Sequence, residues 1–147
     1  MTISNIQQFD EITGQVLGAL YENFPVPRHL LIKQFVEGGY TFDEHAAMDV
    51  ADERGEFFIA CIDWLAEAGY LSFKEQSYGN GVLNAVLTAK GLEALKAIPA
   101  SLTAGPSLGD QLVDATKSGT KNILGSLAGE VLSVGSRLVT AHFGLPG

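Results

Sequence analysis

Residues 54–90 constrain this chain's fold more tightly than any other stretch. Arg54-Gly55-Glu56-Phe57-Phe58-Ile59-Ala60-Cys61-Ile62-Asp63-Trp64-Leu65-Ala66-Glu67-Ala68 reads as a helix, and Gly69-Tyr70-Leu71 leads out of it. Gly79-Asn80-Gly81 then offers the positive φ angles of a tight hairpin turn, so Leu71–Tyr78 and Val82–Thr88 are expected as its two strands. Thr88 can cap a helix over Ala89–Ile98 with Leu92 and Leu95 facing the core, and Pro99 stops it. A helix, a hairpin and a helix in immediate succession leave room for a small sheet laid against helices and little else.

Upstream, Asp10 can cap a helix whose apolar residues Ile12, Val16, Leu17, Leu20 and Phe24 recur at helical spacing, until Pro25 and Pro27 end it. Pro27 suits the first turn of a second helix, with Leu30, Leu31, Phe35 and Val36 facing inward and Gly38-Gly39 at its end. Thr41 and Glu44 have the spacing of a capping box and predict a short acidic helix through Ala51, with a break near Gly55.

This order of elements over residues 9–98, together with Leu87-Thr88-Ala89-Lys90-Gly91, resembles the winged-helix superfamily. The resemblance implies a mainly α fold with a small β-hairpin wing, an α+β class. It also implies a third helix placed for the DNA major groove and Lys74 on a wing that touches phosphate. Two features depart from the pattern. A minimal helix-turn-helix connection is about three or four residues, whereas residues 37–53 form an acidic insertion. Apart from Arg54, the charges on the third helix are Glu56, Asp63 and Glu67, which a phosphate-lined groove repels.

Beyond Pro99 the composition changes. Residues 99–107 read as an Ala/Ser/Thr/Gly/Pro linker, and residues 108–142 as one long amphipathic helix. At ~100° per residue, Leu112, Thr116, Thr120, Ile123, Leu127, Val131, Val134 and Leu138 form a single stripe opposite Ser and Gly. Glycines at 119, 125, 129 and 135 each cost up to ~1 kcal/mol relative to alanine, so the stripe must be buried against something. Its own domain, a second copy, a foreign partner or a membrane surface all suit it, which makes Leu112, Ile123, Leu127, Val131, Val134 and Leu138 the candidate self-association or docking residues.

A chain of 147 residues with 46% hydrophobic content can bury one ordinary core. Its net charge of −8 lies entirely in residues 1–98, which disfavours nucleic acid and anionic lipid as partners of that part. Arg28, Lys33, Arg54 and Lys74 are the cations that a DNA-binding alternative would have to gather. The single cysteine, Cys61, sits among Ile59, Ile62 and Leu65 and is expected as a reduced, buried thiol in a cytoplasmic protein. No secretory signal is expected from Met1–Asp10, and no stretch reaches the ~18 apolar residues of a spanning helix.

Catalytic and metal patterns are sparse. His29, His45 and His142 form no His-x-x-x-His spacing. Asp43, Glu44, Asp49, Asp52, Glu53 and Glu56 crowd together without the alternation of a calcium loop and read as a solvated acidic face. Neither an enzyme nor a cofactor is expected. Helix 54–68 holds more large apolar residues than one buried face can hide, and aromatic surface inside an acidic rim favours protein recognition. The sequence thus points to a non-catalytic protein-interaction module. A DNA-binding regulator is the alternative, and a peripheral membrane adaptor acting through residues 108–142 is the third reading.

Overall fold

The structure is a computed structural model that describes residues 3–77, 79–98 and 105–142, without the side chains of 49 and 139–142. Helix α1 (Asn5–Asn23) starts nearly two turns before the expected cap Asp10, because the Ser4 hydroxyl accepts from the Gln7 amide at 3.1 Å and caps it there. Asp10 lies inside the helix, and partial burial raises its carboxyl pKa. Val16, Leu17 and Leu20 face the core, as their spacing requires.

The segment after Pro27 corrects the sequence reading. Arg28–Leu31 is strand β1, and helix α2 is the single turn Ile32–Phe35. Leu30 is fully buried between the exposed His29 and the half-buried Leu31, the alternation of a strand, and the fully buried Ile32 follows at the head of α2. The strand supplies hydrogen-bonding partners to the strand after Gly79-Asn80-Gly81, with Leu30 opposite Val82 and Leu31 opposite Gly81.

The acidic insertion is also corrected, from a short helix to a hairpin. Strands β2 (Tyr40–Asp43) and β3 (Met48–Ala51) pair antiparallel as a separate two-stranded sheet. Thr41 caps nothing there. The Asp43 carboxylate instead accepts from the His45 amide at 2.8 Å and holds the turn, which Ala47 closes at φ 54°. Tyr40, Thr41 and Phe42 favour extended backbone, and that preference outweighs the capping-box spacing.

Helix α3 (Glu53–Glu67) falls where it was expected, capped by Asp52, whose carboxylate accepts from the amides of Arg54 and Gly55. The expected hairpin forms, with its first strand split in two: β4 (Leu71–Ser72), β5 (Glu75–Ser77) and β6 (Gly81–Leu87). Both β4 and β5 pair with β6, and β1 joins them in an antiparallel four-stranded sheet.

Helix α4 (Ala89–Lys96) gives the Leu87–Gly91 motif a mechanical meaning. The Thr88 hydroxyl accepts from the Gly91 amide at 3.0 Å and donates to the Gly69 carbonyl. The Lys90 ammonium donates to the Ala68 carbonyl at 2.7 Å and lies 4.4 Å from the centre of the Tyr70 ring. The motif therefore clasps the turn that leaves α3, and its lysine satisfies a carbonyl at that helix's C-terminal end.

The C-terminal region is two helices, not one: α5 (Leu108–Ser118) and α6 (Lys121–His142). Gly119 adopts φ 73° and ends α5 with a left-handed cap, so the stripe breaks where a single helix was expected. Both helices pack on α1, and α6 also meets α4. Two glycines on α1 permit the close approach: a Cβ at Gly14 would stand 2.7 Å from the Leu124 carbonyl oxygen, and one at Gly18 would touch Leu112. Leu108, Leu112, Leu124 and Val131 belong to the same core as Leu17, Phe58 and Leu95. Tyr70 fastens α6 to the α3 exit, its hydroxyl donating to the Leu132 carbonyl at 2.9 Å.

Among the described residues, Thr13 Oγ1 is the buried side-chain polar atom without a hydrogen-bond partner. Thr13→Val removes that hydroxyl and keeps the branched shape. It is expected to raise stability by about 1 kcal/mol, measured as the urea midpoint at unchanged m-value.

Candidate functional site

Helix α3 buries Phe58, Cys61, Ile62 and Leu65 on one side, as an amphipathic helix in a layered fold must. Its remaining aromatics are only partly covered. Trp64 is 50% exposed and meets the Phe9 ring edge-on, with centroids 5.3 Å apart. Together with the first turns of α1 it forms an open apolar groove of about 380 Å³, lined chiefly by Ile6, Phe9, Phe57, Ala60, Cys61 and Trp64. Ile6 is 71% exposed at its mouth. The exposed aliphatic and the exposed tryptophan lie side by side and make one apolar patch.

The edge of this groove is acidic. With 3.6 residues per turn, Glu56, Asp63 and Glu67 fall within a sector of about 40° on α3, next to Ala60, and all three are exposed. Asp63 accepts from the Gln76 side-chain Nε2 at 2.8 Å, which ties this edge to β5. Helix α1 contains no Lys or Arg, and the single cation of α3, Arg54, donates to the Asp52 carboxylate at 2.8 Å. That contact holds the Asp52 carboxyl below its ordinary pKa.

Cys61 forms the floor of the groove as a free thiol, and burial pushes its pKa up to about 12. At about pH 8 the native thiol is therefore protonated, and alkylation by iodoacetamide is expected to follow unfolding instead of competing with it. Labelling of the folded protein as fast as that of the urea-unfolded chain would contradict this.

The cations named for DNA contact stand on β1, α2, the head of α3 and the β4–β5 connection, and two of them, Arg28 and Arg54, bond to side-chain acceptors. Arg28 donates to the Gln34 side chain at 3.0 Å and lies over the Phe35 ring. Lys33 is exposed beside the Tyr40 ring, Arg54 is paired with Asp52, and Lys74 is exposed between β4 and β5. His29 has a structural role, its Nδ1 accepting from the Asn84 amide at 3.1 Å where the β1–β6 register shifts.

The candidate docking stripe lies mostly inside the chain. Leu112, Leu127 and Val131 are buried, Val134 and Leu138 pack half-buried against the core, and Ile123 alone of the six is exposed. No helix among the described residues is long and apolar enough to cross a membrane.

Ile6 and Phe9 were missed in the sequence because the first helix was started at Asp10. Ser4 ahead of Gln7, with Ile6 and Phe9 continuing the spacing of Ile12 and Val16, is the signal that finds them. No protein-family model, curated protein or solved structure compared with the chain matches it.

Proposed function

We propose that this chain is a non-catalytic winged-helix-type module that recognises protein through the groove between α1 and α3. The observation that carries the reading is the half-exposed Trp64 set with Ile6, Phe9 and Phe57 on the outward side of α3, beside an edge of carboxylates. The order α1, β1, α2, α3 and hairpin, interrupted between α2 and α3 by the β2–β3 insertion, with β1 alongside β6, supports the winged-helix assignment. In such a module α3 is the presented helix. Its acidic character suits a polypeptide partner and opposes the phosphate backbone. A reducing, cytoplasmic setting suits the single buried thiol. The C-terminal helices serve this site indirectly, because they hold the back of α1 and so fix one wall of the groove.

Affinity capture from nuclease-treated extract tests this, comparing the wild-type chain with Ile6→Ser and Trp64→Ala. A defined protein retained by the wild type and lost in both variants is the expected result. Retention unaffected by either variant, or steeply salt-dependent binding of duplex DNA by the wild type, would sink it.

A further inference from the structure

We infer that the occupant of the groove is a basic amphipathic helix. This rests on the reading of the groove as the recognition site and names the chemistry of its partner. Three observations carry it. The groove is long and open: on α3 its wall runs from Phe57 to Trp64, a rise of about 10 Å, which equals the span of anchors i and i+7 on a guest helix. Its lining is almost wholly apolar, so the guest must offer aliphatic or aromatic anchors.

Its α3 edge is acidic. That wall carries Glu53, Glu56, Asp63 and Glu67 against Arg54 alone, which is already paired, while the α1 carboxylates lie away from the groove, Asp10 and Glu11 toward Gly125 of α6 and Glu22 paired with Lys117 at 3.4 Å. A guest flanked by lysine or arginine gains electrostatic attraction along the Glu56–Glu67 edge. An acidic guest, a second copy of this acidic face, or an anionic lipid surface is repelled by the same charges.

Trp64 is the only tryptophan of the chain, so its emission reports the groove directly. The probe is a synthetic peptide of about 18 residues, long enough for helix to form on binding, with leucines at i, i+4 and i+7 and lysines on its remaining face. A second peptide replaces every lysine with glutamate. The lysine peptide is expected to shift Trp64 emission to the blue and to protect it from acrylamide, and the glutamate peptide to leave it unchanged. Raising salt from about 0.1 M to about 1 M shortens the Debye length from roughly 10 Å to roughly 3 Å and is expected to weaken binding. The double variant Glu56→Lys, Glu67→Lys, both exposed positions, is expected to bind the lysine peptide about tenfold more weakly.

Equal shifts with both peptides would overturn the charge chemistry while leaving the groove as a binding site. Silence of Trp64 with both peptides, or binding of the lysine peptide seen by calorimetry without any Trp64 response, would overturn the proposal and remove the support for the groove itself.

Discussion

A chain ending at Ala104 is expected to lose cooperative folding. The truncation removes Leu108, Leu112, Leu124, Leu127 and Val131 from the core. Each such side chain contributes roughly 1.5–3 kcal/mol by burial, so the five together approach or exceed the roughly 5–15 kcal/mol by which a domain is stable. The loss is concentrated on α1, whose Gly14 and Gly18 would face water in place of Leu124 and Leu112. Thermal and urea unfolding followed by circular dichroism should show a sharp transition for the full chain and none for the truncation. A truncation that melts cooperatively would mean that residues 105–142 are a dispensable appendage and that their apolar stripe is free for a partner.

The second large effect falls on Gly91. A Cβ there would collide with the Tyr70 carbonyl oxygen, a backbone atom that also accepts from the Thr88 amide at 3.2 Å. The clasp formed by Thr88 and Lys90 holds the same turn, so neither side can give way cheaply. Gly91→Ala is therefore expected to cost about 3 kcal/mol or more, although alanine is the better helix former. Gly129→Ala on α6 provides the contrast. Nothing lies within 4 Å of the added methyl group, and the substitution is expected to stabilise by up to about 1 kcal/mol. Urea midpoints of the two variants check both signs. Equal effects would show that the close approach of α4 to the Tyr70 turn does not limit stability.

The elements legible in the sequence were those with strong local signals. Thr88 can receive the amides of a helix start, and Gly79-Asn80-Gly81 can turn a hairpin without help from the rest of the fold, whereas the Asp52 cap of α3 was read only as part of the acidic face. The misread elements are those settled by distant partners. Leu30-Leu31-Ile32 fits a helix or a strand equally well until β6 offers an open edge. Thr41 and Glu44 have capping-box spacing, but the cross-strand pairing of Tyr40 with Ala51 and Thr41 with Val50 decides against it. Periodicity shows that the C-terminal stripe needs burial and does not show against what. The break at Gly119, where the chain takes φ 73°, lets α5 and α6 lie separately on α1.

The candidate site was half legible for the same reason. The surplus of aromatics on α3 is visible in the residues, whereas the wall supplied by Ile6 and Phe9 depends on how α1 crosses α3. That crossing is a property of the core that Leu17 of α1 shares with Phe58 and Ile62 of α3.

The most direct measurement on the groove is site-specific photo-crosslinking in cells, with a benzoylphenylalanine placed at position 60 inside it or at position 129 on the outer side of α6. Both positions are exposed. Position 60 is expected to give a discrete adduct that protease removes and nuclease does not, while position 129 gives none. Adducts confined to position 129, or nuclease-sensitive adducts at position 60, would contradict protein recognition by the α1–α3 groove.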